Sequence, residues 1–163
     1  MTVFPISSLL ALVFSLPAFP QEWPVYGGSP ESTRYSPLKQ INRANVSRLQ
    51  VAWTYDVSDG RGGLQTNPII LDGVLYANTP GGKIIALDAG SGKLKWAWTS
   101  PSRNRGARGV TYWGEGDDRR IFAGFGRFVY ALDARTGEPI AGFGQDGAST
   151  CTRTLDGTRK RNR

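Results

Sequence analysis

The sequence predicts an all-β protein built from repeated four-stranded antiparallel sheets. Its 163 residues include 21 Gly with five Trp, six Tyr and seven Phe, a composition typical of aromatic strands joined by tight turns. From Pro68 onward, short apolar runs alternate regularly with turn sequences. One turn motif recurs after 45 residues. That period, with four strands per repeat, is typical of the blades of a β-propeller.

The first predicted sheet consists of the runs PIIL, VLYAN, KIIALD and KLKWAW, which begin at Pro68. Turn sequences separate them, and the first of these is Asp72-Gly73. Asp-Gly between two strand-like runs is a strong signal for a two-residue hairpin. Four short runs joined in this way predict an antiparallel meander.

The second predicted sheet repeats this order with the runs GVTYW, RRIFAGF, FVYALD and EPIAGF. The repeated motif is ALDAGSGK at Ala86–Lys93 and ALDARTGE at Ala131–Glu138. In both copies we expect the Asp to accept hydrogen bonds from the turn amides and the final Gly to adopt a positive φ. We expect each fourth strand to place an aromatic residue, Trp96 or Phe143, against the neighbouring blade.

The chain before the sheets supplies less regular elements. Leu38–Gln50 predicts one or two helical turns capped by Asn42 or Asn45. Val51–Val57 alternates and is rich in β-forming residues, which predicts a strand. The predicted fold is therefore an incomplete β-propeller: two four-stranded antiparallel blades, an N-terminal strand and a short helix.

The first 20 residues predict a secretory signal peptide. Residues 3–19 are almost wholly apolar but are interrupted by Pro5 and Pro17, and the run is short for a membrane span. We therefore expect a periplasmic or secreted protein whose only membrane contact is its signal peptide. A buried N-terminal strand, or a misplaced start codon, is the alternative. Residues 21–147 form the predicted partial propeller.

Residues 148–163 differ in character from the rest of the chain. They contain one leucine and no aromatic residue, and after Thr150 they carry five basic residues against one acid. Much of the formal charge of +7 therefore comes from this segment. It predicts an unstructured basic tail, either an RNA-binding tail or residues read out of frame after a truncation or frameshift.

The absence of some residue types excludes several kinds of chemistry. The chain has no His, so it holds no Ser-His-Asp triad, no Cys-His dyad and no imidazole metal ligand. Its single Cys excludes an internal disulfide and a zinc site made of several thiolates.

Several motifs in one order carry a resemblance to a known family. They are EWPVYGG followed by QINRANVSRLQVAWTY, then GLQTNPII, ALDAGSGKLKW, ARGVTYWGEGDD and ALDARTGEPIAGFG. Over Glu22–Gly147 the chain resembles the dehydrogenases that use pyrroloquinoline quinone (PQQ). The resemblance implies an eight-bladed periplasmic propeller that oxidises alcohols or sugars with PQQ and Ca²⁺ and passes electrons to a quinone or a cytochrome. It stops inside a blade, which favours the out-of-frame interpretation of the tail, and we expect no nucleic-acid partner.

Two residues match cofactor contacts of this family. The resemblance implies that Arg108 in ARGVTYW and Gln65 in QTNP contact PQQ. A guanidinium can donate two hydrogen bonds to a carboxylate, and an amide can both donate and accept. The alternatives are an ordinary surface arginine in a charged loop and a solvated turn residue.

The chain also departs from the family. Ser102-Arg103 stands where methanol-oxidising members have adjacent cysteines, and Asn104 stands where membrane glucose dehydrogenases have a histidine, so the substrate class stays open. The catalytic Asp and the calcium ligands of the family have no counterpart here, so no catalytic or metal-binding residue is assigned.

The sequence therefore predicts the N-terminal fragment of a periplasmic PQQ-dependent dehydrogenase. We expect this fragment to be inactive alone and not to retain PQQ or Ca²⁺. The alternative is a non-enzymatic PQQ-like propeller that serves as a scaffold for partner proteins in outer-membrane assembly.

Overall fold

Two four-stranded antiparallel sheets follow one another along the chain. The computed structural model describes residues 22–57, 65–102 and 108–151. The first sheet contains β1 (Ile69–Leu71), β2 (Val74–Asn78), β3 (Lys83–Asp88) and β4 (Leu94–Thr99). The second contains β5 (Thr111–Glu115), β6 (Asp118–Phe125), β7 (Phe128–Asp133) and β8 (Ala148–Thr150). In both sheets the strands pair in chain order, so each is a meander. The predicted all-β fold is confirmed, and neither sheet closes on itself within the described ranges.

The β1–β2 hairpin shows how local sequence determines strand pairing. Leu71 pairs with Val74, so Asp72 and Gly73 are the two turn residues. Their φ angles are 48° and 70°, both positive, as the tight hairpin turn between twisted strands requires. The Asp-Gly signal therefore marks the hairpin correctly.

The core lies between the two sheets. In the first sheet Ile69, Tyr76, Ala86 and Trp96 are paired in succession across the four strands and face the second sheet. The facing side chains of β6 and β7 are almost fully buried, among them Ile121, Phe125 and Leu132. Burying one such side chain contributes about 1.5–3 kcal/mol, so this interface stabilises the contact between the sheets.

The fourth strand of the second sheet differs from the prediction. EPIAGF forms no strand: Pro139 makes one isolated bridge with Leu132, and residues 141–144 then turn. Pro139 has no backbone N–H to donate, which disfavours a continuous ladder at this point. The sheet is completed by β8, where Ala148 pairs with Tyr130. The prediction for Phe143 is corrected as well, because it lies in the turn and packs on Phe122 of its own sheet, with ring centroids 5.4 Å apart.

The predicted boundary after residue 147 also needs correction. The sequence predicts that Ala148–Thr150 belongs to the unstructured tail, but these residues form β8. Glu138 and Ile140 still form backbone hydrogen bonds with β7, at Asp133 and Ala131, and β8 pairs with the remaining residues of β7. Residues 152–163, the remainder of the predicted tail, lie outside the described residues, as do the 20 residues of the predicted signal peptide.

The segment before β1 is mostly irregular, and the strand predicted at Val51–Val57 is wrong, because these residues pair with no other strand in the described part of the chain. The predicted helix is a single 3-10 turn at Val46–Arg48, with Asn45 as its first flanking residue. Trp23 forms an antiparallel bridge with Ile70, and this bridge is the only pairing of the N-terminal segment with a strand in the described part of the chain. Among the residues described, no helix is long and apolar enough to cross a bilayer.

Candidate cofactor-binding site

Two tryptophan side chains form equivalent hydrogen bonds. One joins the two sheets, and the other joins the N-terminal segment to the first sheet. Trp96 Nε1 donates to the carbonyl oxygen of Ala134 at 3.0 Å, across the boundary between the sheets. Trp53 Nε1 donates to the equivalent carbonyl oxygen, that of Ala89, at 3.1 Å. Trp53 therefore packs on the outer face of the first sheet. Trp96 packs on the face of the second sheet that is turned toward the first.

A glycine lies under each of these rings. Gly92 has φ 71° and Gly137 has φ 77°, as the repeated motif predicts. A methyl group on Gly92 would lie 2.5 Å from Trp53, and one on Gly137 would lie 2.5 Å from Trp96. Each glycine is therefore needed twice, for the turn and for the ring above it.

The Asp of the repeated motif organises each turn. Asp88 Oδ1 accepts from the Ser91 backbone N–H at 2.8 Å and from the Ser91 hydroxyl at 2.6 Å. Asp133 Oδ1 accepts from the N–H groups of Arg135 and Thr136 at 2.8 and 3.0 Å. The Ser91 hydroxyl, and then its amide, hold the pKa of Asp88 below its usual value. The predicted hydrogen bonding of both turns is confirmed.

The first strands of the two sheets begin side by side. Asn67 N donates to the carbonyl oxygen of Arg108 at 2.6 Å, and Asn67 forms a parallel bridge with Gly109. A Cβ on Gly109 would lie 3.1 Å from the Asn67 carbonyl oxygen, so glycine permits this close approach. The backbone just before β1 is thereby joined to the backbone just before β5.

This junction brings together the segments that carry Gln65 and Arg108. Arg108 takes part through its own carbonyl, and Gln65 lies two residues before Asn67. Both residues are exposed. Thr66, next to Gln65, donates its hydroxyl to Asn78 Oδ1 at 2.7 Å, which anchors the segment on β2. Arg108 forms no ion pair with another described residue.

A groove of about 470 Å³ adjoins this junction through Asn67. Trp23 and Tyr26 form aromatic walls. Arg34 Nη2 donates to the Tyr26 hydroxyl oxygen at 2.7 Å, and its guanidinium lies 5.4 Å from the Tyr26 ring centroid. The groove thus combines flat aromatic walls with one guanidinium, that of Arg34, whereas Gln65 and Arg108 do not line it.

A metal site is not apparent in the same part of the structure. Among the described residues, no three His, Cys, Asp or Glu side chains lie together in a way that could hold a metal ion. These residues therefore offer no ligand set for Ca²⁺.

The docking role of Trp53 is not predicted by the sequence. Ala52-Trp53-Thr54 repeats as Ala97-Trp98-Thr99, which aligns Trp53 with Trp98. In the structure, however, Trp96 makes the bond equivalent to that of Trp53. Trp96 and Trp98 are two positions apart and therefore lie on the same face of β4. The alternation of side chains along the strand cannot tell which of them is equivalent to Trp53.

These features define the class of protein: successive four-stranded meanders joined by docked tryptophans are blades of a β-propeller. The family model of the glucose/ethanol/alcohol dehydrogenase β-propeller domain, abbreviated PQQ, matches residues 23–162. The chain belongs to this family. The match extends past Gly147, where the sequence predicted that the resemblance ends.

Curated relatives carry dehydrogenase names. The chain is 42% identical over 130 residues to the dehydrogenase subunit of alcohol dehydrogenase (quinone) from Gluconobacter oxydans, covering 74% of this chain and 17% of the relative. It is 37% identical over 145 residues to 1-butanol dehydrogenase (cytochrome c) from Thauera butanivorans, covering 81% of this chain and 20% of the relative. The chain thus spans about a fifth of the length of these relatives.

Solved structures agree on the fold. Quinohemoprotein alcohol dehydrogenase from Comamonas testosteroni matches with a TM-score of 0.62 at 30% identity, over 74% of this chain and 19% of that chain. The quinohemoprotein alcohol dehydrogenase ADHIIG from Pseudomonas putida matches with a TM-score of 0.68 at 30% identity, over 83% of this chain and 20% of the other.

Proposed function

We propose that this chain supplies two blades and part of the cofactor site of a PQQ-dependent alcohol dehydrogenase. The observation that carries the proposal is the hydrogen bond from Asn67 to the Arg108 carbonyl, which joins the segments of Gln65 and Arg108. The family match and the names of the relatives support a dehydrogenase.

In this proposal each residue has a binding role. The Arg108 guanidinium binds a carboxylate or quinone oxygen of PQQ and holds the ring in one orientation, because its charge is permanent and its donors are fixed in a plane. The Gln65 amide donates to a ring substituent or accepts from one. PQQ supplies the electron acceptor for the oxidation, a chemistry that the side chains of this protein cannot perform.

We propose alcohols as the substrates and a quinone or cytochrome c as the electron acceptor. The support is the wording of the relatives' names, which include alcohol, 1-butanol, quinone and cytochrome c. Sugars are the less favoured substrates. Ca²⁺ would need ligands outside the described residues, and a periplasmic location rests on the apolar residues 3–19.

A chimera tests the proposal. Residues 22–151 replace the matching part of the Gluconobacter oxydans dehydrogenase subunit, and bound PQQ is measured after dialysis with PQQ and Ca²⁺. We expect the chimera to retain PQQ and to reduce a dye with ethanol. Arg108→Gln should weaken PQQ binding about tenfold or more, since a hydrogen bond to a charged group contributes about 1.5–3 kcal/mol.

Arg43→Gln is the matched control, because Arg43 is exposed and lies in the segment before the sheets. It should leave PQQ binding unchanged. Equal PQQ affinity in the Arg108→Gln and Arg43→Gln chimeras would contradict the role of Arg108. A folded chimera that binds no PQQ would favour the scaffold alternative.

A further inference from the structure

A cavity of about 210 Å³ lies between the two sheets, at the end of β1 opposite Gln65. Leu71 and Val74 line it from the first sheet, and Tyr112 lines it from the second. Tyr76 and Trp96 present aromatic rings to it. The space is a cleft that opens to solvent, since Arg135 at its rim has a side chain that is 66% exposed.

The rim of the cavity is cationic. Lys95, Arg119 and Arg135 line it, against the single acid Asp72. Arg119 donates to the Asp72 carboxylate across the boundary between the sheets, so these two charges neutralise each other. Lys95 and Arg135 also line the cavity, and each has one acid nearby, Asp88 for Lys95 and Asp133 for Arg135.

Arg135 is only weakly engaged. Its Nη2 lies 4.0 Å from Asp133 Oδ2, and its side chain is 66% exposed. Asp133 uses its other oxygen for the turn amides. The Arg135 guanidinium can therefore turn toward an anion in the cavity at little cost, since ion pairs this exposed are weak.

The floor of the cavity carries no charge. The Tyr76 hydroxyl donates to the Ala134 carbonyl oxygen at 3.1 Å. Burial, and then the charge of Asp72, raise the pKa of Tyr76 to about 12. The phenol therefore stays protonated at neutral pH and does not repel an anion.

We propose that this cavity binds a small organic monoanion with a flat apolar body, such as an arenecarboxylate. The apolar body lies against the Tyr76 and Trp96 rings, and the carboxylate accepts hydrogen bonds from Lys95 and Arg135. This site is separate from the one that contains Gln65 and Arg108, and it does not depend on the proposed dehydrogenase function.

Benzoate and benzamide are matched probes, because they share a ring and differ in charge. Binding to the full chain is measured by ligand-observed NMR. We expect benzoate to bind about tenfold more tightly than benzamide, since two cations face the carboxylate. The double variant Lys95→Gln/Arg135→Gln should lower benzoate affinity to that of benzamide. Neither side chain supports the core, so the variant keeps the fold.

The control is Lys39→Gln/Arg43→Gln, which removes the same charge from the exposed N-terminal segment. It should leave benzoate affinity unchanged. An equal loss in this control would show that net charge attracts benzoate to the chain in general, which overturns the proposal. Equal affinity for benzoate and benzamide in the unaltered chain would overturn it too.

Discussion

Two separate structural requirements favour glycine at position 137. Its backbone needs a positive φ to close the ALDA turn, and its missing side chain leaves room for the Trp96 ring. Either requirement alone favours glycine. Together they join a local turn to the contact between the two sheets, so a single methyl group should disturb both.

We therefore expect Gly137→Ala to destabilise the chain by about 2–4 kcal/mol, from the positive φ and from overpacking against Trp96. Urea unfolding measures the loss. Gly116→Ala is the control: Gly116 has φ 58°, but a Cβ there meets nothing within 4 Å. It should cost only about 1–2 kcal/mol, from φ alone. Equal losses would contradict the role of Trp96.

Asp88 makes the stability of its turn depend on pH. Its pKa in the folded state is lower than in the unfolded chain, first because of the Ser91 hydroxyl. The charged form therefore stabilises the fold above about pH 4, and this contribution is lost as the pH falls through the folded-state pKa. Ser91→Ala should lower stability at pH 7, and this loss should become smaller as the pH falls below that pKa, because only the bond of the Ser91 hydroxyl to Lys93 N is independent of pH.

The measurement is urea unfolding of both proteins at several pH values. Ser29→Ala is the control, because the Ser29 hydroxyl contacts Thr33 Oγ1 at 3.4 Å and no carboxylate. Its effect on stability should be the same at every pH. A constant difference between the Ser91→Ala variant and the unaltered chain across the range would contradict the assignment.

At the scale of the elements, one carbonyl connects the two sheets. The Ala134 carbonyl oxygen accepts from both Trp96 Nε1 and the Tyr76 hydroxyl. Both donors come from the first sheet, and the acceptor belongs to the second. Removing one donor leaves the carbonyl paired, whereas removing both leaves it without a partner among the described residues.

Trp96→Phe and Tyr76→Phe should therefore be non-additive. We expect the double variant to lose about 1 kcal/mol more than the sum of the single losses, which is the cost of an unpaired buried carbonyl. Chemical unfolding of the four proteins gives this coupling energy. Strict additivity would show that water satisfies the carbonyl when its donors are removed.

Considered as a whole molecule, the chain covers one face of the second sheet only in part, because Phe143 packs on Phe122 while Val129 remains half-exposed. Phe122 and Val129 alternate with the residues that face the first sheet, so they lie on the opposite side. Trp113 lies on the same sheet with 44% of its surface exposed. An apolar sheet face of this kind favours association.

We expect the purified chain to self-associate through this face. Val129→Lys should shift the sedimentation of the chain toward the monomer, because a charge cannot be buried there without a partner. The experiment includes a reducing agent, since Cys151 is exposed. Gln40→Lys adds the same charge in the N-terminal segment and should leave association unchanged. A monomeric unaltered chain would contradict the prediction.

Local signals account for the parts of the fold that were predicted correctly. The Asp72-Gly73 hairpin, the strands KIIALD and FVYALD and both ALDA turns rest on residues that are neighbours in sequence. The fourth strand of the second sheet was missed because EPIAGF has strand-like composition, whereas Pro139 cannot donate a ladder hydrogen bond. The strand Ala148–Thr150 has no apolar signal of its own and forms because the β7 edge is available.

The sequence by itself determined the all-β class, the repeat of 45 residues and the family, because each depends on the order of residues along the chain. Only the tertiary structure showed that Gln65 and Arg108 lie on joined segments and that Trp53 and Trp96 are the equivalent docking residues. It alone showed the cationic cavity between the sheets. The docking bonds of Trp53 and Trp96 span 36 and 38 positions of the chain. Such contacts are decided by how separate segments pack rather than by the propensity of any single strand.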